Sequence, residues 1–280
     1  MTMAFKISAA EVKKLRDQTG AGMMDCKKAL QEAEGDFDGA IEYLRKKGQK
    51  MTEKRADREA KEGVVLALTS EDNSKGIAVR ISCETDFVAK NDEFVAFVAS
   101  IAELALANFP ENAEALAALE LSAGKTVADA LIEKTGVIGE KIELNSYGRV
   151  EAAKVISYVH MGNKAGVVVG FNKDVDNLET AGKDVAMQIA AMHPIAVDKD
   201  GVDASVVEKE IEIGKEVARN EGKPEQLLER IAMGKLNAFY KENTLLNQEF
   251  VKGHKQTVAQ FLATLDKDLT VTSFVHITLG

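Results

Sequence analysis

The chain has 280 residues, 45% of them hydrophobic and 29% charged, with three prolines and no tryptophan; that is enough for one large domain or for two to three smaller ones with cores of their own. A formal net charge of −9 argues against direct binding of RNA or DNA, because a broad phosphate-gripping surface draws its affinity from Lys and Arg that displace counterions. Two isolated cysteines, Cys26 and Cys83, argue against a disulfide framework and a zinc site, and read as small buried apolar residues of a reducing compartment.

In chain order, residues Met1 to Lys14 hold no long apolar run, so neither a secretory leader nor a bilayer-spanning segment is expected, and the chain reads as cytoplasmic. Ser8-Ala9-Ala10-Glu11 has the spacing of a capping box and opens a helix with Val12 and Leu15 on its apolar stripe. Thr19-Gly20-Ala21-Gly22 breaks that helix. A second carries Met23, Cys26, Leu30 and Ala33, and Gly35 ends it. Asp36 caps a third, with Ile41 and Leu44 inward and Gly48 as its expected end. Three short helices in about fifty residues resemble a ubiquitin-associated domain. Gln49 to Glu62 is charged on nearly every residue and reads as a solvated linker.

The hydrophobic period then changes from helical to alternating. Gly63 to Thr69 predicts a strand, Ser70 to Gly76 a turn, and Ile77, Val79, Ile81 and Cys83 one buried face of a second strand. Asp92 is the expected cap of a helix with Phe94, Val98, Ile101 and Ala105 inward. Thr126 to Lys134 reads as helix and Ile142 to Leu144 as the start of an extended piece. A second strand–turn–strand–helix unit follows: Val150 to His160, the turn Met161-Gly162-Asn163-Lys164, Ala165 to Phe171, then a helix through Val185, Ile189 and Met192 stopped by Pro194. The repeated order points to an internal duplication. Ser205 to Glu221, with Ile211, Ile213 and Val217, and a helix opened by Pro224, with Leu228, Ile231, Leu236 and Phe239, form a helical hairpin. Thr257 to Leu265 is a last helix and Thr270 to Leu279 a last strand.

Catalytic motifs are missing. His160, His193, His254 and His276 have no metal-ligand spacing, and no cofactor site is expected. Gly20-Ala21-Gly22 lacks the third glycine and the preceding strand of a dinucleotide loop, and neither a phosphate-binding GxxxxGK[ST] nor a Gly-x-Ser-x-Gly elbow occurs. Their absence favours an interaction protein.

Two segments are distinctive: Leu15 to Leu30 (LRDQTGAGMMDCKKAL) and Cys83 to Asn91 (CETDFVAKN), about sixty residues apart. With Tyr158-Val159-His160, Gly162, Lys164 to Val168, Ala186-Met187 to Pro194 and Gly222-Lys223-Pro224-Glu225, they resemble the signatures of the elongation factor Ts family, from about Lys6 to the C-terminus. The resemblance implies an α+β protein in four parts: a UBA-like three-helix domain at 1–49, a charged linker at 50–62, and two related core subdomains with antiparallel sheets at 63–145 and 146–280, the second carrying an inserted helical hairpin at about 205–243. It also implies a guanine-nucleotide exchange factor. The partner would be elongation factor Tu in its GDP-bound form, with no nucleic acid and no membrane, and the family admits a homodimer within the complex. Thr85, Asp86, Phe87 and Val88 would intrude near the partner's magnesium site, dislodge the ion and promote GDP release so that GTP can bind. Val12, Leu15, Met23 and Met24 would grip the partner's GTPase domain, with one of the two methionines facing out, and His160, Gly162, Asn163 and Lys164 would touch its third domain.

The pattern alone reads some of these residues differently. Continuing the alternation from Ile77 puts Phe87 on the core face, whereas the loop begun at Thr85 and the resemblance turn it outward. The segment around His160 equally fits an ordinary hairpin turn. Two features depart from the family: the chain stops at Gly280 without the C-terminal helical extension of some members, and His276 stands where arginine is commoner. The competing reading is a UBA-type protein-binding scaffold without exchange activity; an unrecognised α+β enzyme would need a deep pocket with a perturbed titratable group.

Overall fold

A computed structural model of the chain describes residues 7–122, 124–160, 162–253 and 255–279. The elements run α1 (Ala9–Thr19), α2 (Met23–Glu32), α3 (Phe37–Lys54), β1 (Glu62–Thr69), β2 (Lys75–Cys83), α4 (Asp86–Ala89), α5 (Asp92–Asn108), α6 (Ala113–Ala118), β3 (Glu120–Ser122), β4 (Lys125–Thr126), α7 (Val127–Ile138), β5 (Glu143–Glu151), β6 (Lys154–Val159), β7 (Ala165–Phe171), α8 (Leu178–Met192), α9 (Ala204–Asn220), α10 (Glu225–Asn243), α11 (Val258–Leu265) and β8 (Val271–Thr278). This is the expected mixture of helices and antiparallel sheets. Two three-stranded sheets have the orders β1-β2-β5 and β6-β7-β8. In each, the second strand of the hairpin is central and leads toward a long helix, α5 or α8, which is the duplicated pattern. The chain divides into two compact units, one holding the described residues up to Leu66, Val79–Tyr147 and the end from Thr278, the other Ala67–Ala78 and Gly148–Ile277. Among the described residues no helix is long and apolar enough to cross a membrane.

The first unit begins with the three-helix bundle. Ser8 and Glu11 close the capping box, with the Ser8 N–H donating to Glu11 Oε2 at 2.7 Å and the Glu11 N–H donating to Ser8 Oγ at 3.2 Å. Val12, Leu15, Cys26 and Leu30 form the core of the bundle, flanked by Ile41 and Leu44. Gly48 does not end the third helix; α3 continues to Lys54 and takes in the start of the charged segment. The reason is tertiary: Gly48 is buried against α7, where a Cβ on Gly48 would meet the Ile132 carbonyl oxygen at 2.7 Å and a Cβ on Gly136 would meet the Gly48 Cα at 2.9 Å. Two glycines facing each other let the α3 and α7 backbones come into contact, and a second tie, from Arg45 Nη2 to Asp129 Oδ1, measures 2.9 Å.

Further along, β2 is buried on both faces, Ala78 and Ser82 included, not on one face as the alternation suggested, because it is the central strand of its sheet. The α5 helix is capped by Asn91 and not by Asp92: Asn91 Oδ1 accepts from the Glu93 and Phe94 N–H groups at 2.9 and 3.2 Å. Its inward face is the expected one, with Phe94, Val98, Ile101 and Ala105 buried.

In the second unit β6 and β7 pair antiparallel from Lys154↔Phe171 to Val159↔Gly166. Val150, expected on the same strand as His160, belongs instead to β5, and a bend separates the two strands. Phe171, Leu178, Ile189, Leu245 and Leu262 centre the core. In the α9–α10 hairpin the buried positions are Gly214 and Ala218 against Leu228, Ala232 and Leu236, while Ile213 and Val217 remain exposed. Small residues win the seam because it is close: a Cβ on Gly214 would lie 3.0 Å from the Ala232 Cα. Pro224 is the cap of α10, one residue before its first turn.

Candidate functional site

The distinctive Cys83 to Asn91 segment lies where β2 leaves its sheet. The strand ends at Cys83, and Thr85, in extended conformation, caps the single turn α4 by accepting from the Val88 N–H at 3.4 Å. The pleat parity that placed Phe87 inward is therefore lost at Glu84, and the helical turn swings Phe87 out: it is 84% exposed, and no residue of α4 is buried. Asp86, half-exposed on the same turn, accepts from Lys90 Nζ at 2.6 Å, and that hydrogen bond and charge hold its carboxyl below the usual range. The Cys83 thiol is pushed up to about 12, first by burial and then by the charge of Glu140.

Behind the turn stands a polar network that no local pattern in the sequence announces. Glu140 Oε2 accepts from the Glu84 and Thr85 N–H groups at 3.1 and 3.0 Å, and Glu140 Oε1 accepts from the Thr85 hydroxyl at 2.6 Å. The Glu84 carboxylate accepts from Arg55 Nη1 at 2.6 and 2.8 Å and from the Lys141 N–H at 2.7 Å. Burial alone would raise the Glu84 carboxyl; the Lys141 amide and the Arg55 guanidinium outweigh it and leave the group below its ordinary value.

A cavity of about 260 Å³ opens beside Phe87 and is lined by Gly20, Val88, Asn91, Phe94, Lys134 and Val137 among others. Gly20 is on the corner that leads directly to Met23 and Met24, which are 58% and 75% exposed, so both methionines face solvent and not one. Val137 also is exposed. Val12 and Leu15, expected at the partner surface, lie in the bundle core at 6% and 0% exposure. The apolar helical stripe that holds them is the face the bundle needs for itself, so they support the surface from behind. In the second unit, His160 and Lys164 are exposed on the β6–β7 turn, Gly162 and Asn163 take left-handed φ values of 77° and 56°, and Tyr158 Oη lies 2.9 Å from His160 Nδ1. Met161 of the same expected turn lies outside the described residues. Among the described residues no group of three or more His, Cys, Asp or Glu is arranged to hold a metal ion.

The arrangement offers a partner an exposed aromatic on a capped turn, two exposed methionines and a paired carboxylate. The family model described as "Elongation factor TS" matches residues 84–280, a span that begins at this turn. The chain belongs to the elongation factor Ts family. Relatives named elongation factor Ts agree over nearly the whole length: that of Christiangramia forsetii is 54% identical over 275 residues, covering 98% of this chain and 99% of its own. Those of Flavobacterium psychrophilum and Cytophaga hutchinsonii are each 51% identical with the same coverage. The elongation factor Ts relatives therefore extend through the three-helix bundle that precedes the matched span, and this chain stands with them among the translation elongation factors.

Proposed function

We propose that the chain is a cytoplasmic guanine-nucleotide exchange factor for elongation factor Tu, acting on its GDP-bound form without covalent chemistry. The observation that carries this reading is the exposed Phe87 on an ordered, capped turn in a member of the elongation factor Ts family. Thr85, Asp86, Phe87 and Val88 form the wedge, Met23 and Met24 add an apolar grip, and the His160 to Lys164 turn is a further contact. The bundle, the linker, the two core halves and the hairpin are the parts that carry these surfaces.

The physical sequence follows from magnesium's role in holding a diphosphate and the segments around it. Burying Phe87 in the partner supplies favourable free energy, and its use on a distorted pocket speeds release of the nucleotide. Asp86 exchanges Lys90 for groups of the partner that were holding the ion, and the unscreened phosphates then repel. Linkage makes the effect reciprocal: GDP weakens the factor's binding by the same factor by which it weakens that of GDP.

The test is release of a fluorescent GDP analogue from elongation factor Tu with substoichiometric amounts of this chain. Multiple-turnover acceleration that collapses in the Asp86→Ala/Phe87→Ala double variant supports the reading. The competing UBA-type scaffold is favoured by the exposure of Met23 and Met24; a folded chain that binds a partner but leaves the release rate unchanged would favour it.

A further inference from the structure

The α4 turn has little to hold it by itself beyond the exposed Asp86–Lys90 pair, a weak contact in an isolated helix. It is a single turn, below the length at which a helix repays its nucleation, and it buries none of its residues. Its own cap is a long 3.4 Å hydrogen bond. We propose that Glu140 and Lys141, on the corner that follows α7, are a positioning clasp that holds the Phe87 turn in the attitude in which the partner receives it. The proposal rests on the exchange-factor reading above and names the residues that prepare its wedge.

Three donors converge on Glu140: two successive backbone N–H groups, of Glu84 and Thr85, and the Thr85 hydroxyl. Together they fix the last step before the turn, where the chain changes from strand to helix. A carboxylate acceptor makes these hydrogen bonds stronger than neutral ones. The corner that carries Glu140 is itself rigid. The α7 helix ends at Gly139, in the left-handed region with φ 83°, where its N–H donates to the Thr135 carbonyl. On the other side the Ile142 N–H donates to the buried Thr135 Oγ1 at 3.2 Å. Lys141 extends the clasp to the exit of α3: its Nζ donates to the carbonyls of Ala56 and Arg58 at 3.1 and 3.2 Å, while its N–H meets the Glu84 carboxylate that Arg55 also holds. One dipeptide thus ties the end of β2 and the end of α3 to the same helix terminus.

A clasp of this kind has its own kinetic signature. When only a fraction of the molecules carries the competent arrangement, the half-saturating concentration rises by the inverse of that fraction and the rate at saturation is kept. Loss of a group that touches the partner in the strained state lowers the saturating rate instead.

The experiment measures nucleotide release from elongation factor Tu across a concentration series for the full-length chain and its Glu140→Ala, Glu140→Asp and Glu140→Gln variants. In parallel, the anisotropy of Phe87→Trp, the sole tryptophan in a chain that has none, is read without any partner, alone and combined with each Glu140 change. Glu140→Ala is expected to raise the half-saturating concentration about tenfold or more, equivalent to one charge-assisted hydrogen bond, with the saturating rate unchanged and the anisotropy lowered. Glu140→Asp, one methylene short, falls between. Glu140→Gln recovers a large part of both readouts, short of the charge-assisted strength of the carboxylate, because its amide oxygen accepts the two N–H groups and its amide nitrogen donates to a Thr85 hydroxyl that turns to receive it. If Glu140→Ala does not fold, the Asp and Gln variants decide. Unchanged anisotropy, a lowered saturating rate at constant half-saturation, or a Gln variant as defective as the Ala variant would each overturn the clasp. A wild-type chain that fails to accelerate release would sink the exchange reading, and the anisotropy series would still judge the clasp on its own.

Discussion

Replacing Phe87 by alanine separates a side chain that works on a partner from one that holds the fold. The free chain leaves Phe87 84% exposed, so the change removes almost no native packing, and stability should stay within about 0.5 kcal/mol, as for ordinary surface substitutions. On full burial in a partner, 84% of the about 1.5–3 kcal/mol carried by such a side chain remains to be gained, about 1.3–2.5 kcal/mol. If that energy drives distortion of the nucleotide pocket, Phe87→Ala lowers the rate of nucleotide release by about 8- to 70-fold. The assay is stopped-flow release of a fluorescent GDP analogue from elongation factor Tu over a concentration series, alongside thermal melts of the free variants. The reasoning would be refuted by a melting transition several degrees lower, which marks a core residue, or by an exchange rate within twofold of wild type.

Other expected outcomes follow from the same geometry. Gly136→Ala puts a methyl 2.9 Å from the Gly48 Cα and should destabilise the first unit by about 1–3 kcal/mol, the range for overpacking, measured by urea denaturation. Leu15→Ala should cost about 2–5 kcal/mol as a buried truncation, whereas Met24→Ala should leave urea stability unchanged and raise the half-saturating concentration in the release assay. Because the Glu84 carboxyl lies below its ordinary value of 4.5, its contribution is fully present above that pH and is lost as the pH falls through the lowered value. Thermal stability should therefore show no Glu84 dependence between pH 5 and 8, and Glu84→Gln should flatten part of the decline below 4.5; an equally steep acid decline in that variant would contradict the assignment.

What the sequence made legible was local. The capping residues Ser8 and Asp36 are read from side chains that reach only three positions along the chain, and both cap helices; Thr126 and Thr257, read simply as the first residues of helices, turn out to be caps as well. The period change at Gly63 and the inward face of α5 are equally short-range. Gly48 went wrong for the opposite reason. Its local signal is helix-ending, and the partner that overrides it, Gly136, is 88 residues away. Val12 and Leu15 show a second limit: an amphipathic stripe states that a face is apolar and does not state whether the protein or a partner covers it. The turn at Thr85 was recognisable by resemblance. The acid that holds it was not, since Glu140 is 55 residues from Thr85 and looks like any other charged residue beyond a helix.

The facing glycines of α3 and α7 also set a timetable for synthesis. Gly136 leaves the ribosome 88 residues after Gly48, which at about 5–20 residues per second is a delay of about 4–18 s. Through that interval the bundle has its own core of Leu15, Cys26 and Leu30 but an uncovered glycine patch on α3. The bundle can collapse early on its local contacts, while the seam, and with it the corner that carries Glu140, is completed only once α7 has been made. A nascent chain arrested shortly before α7 should thus carry a formed bundle that protease can still release from the rest.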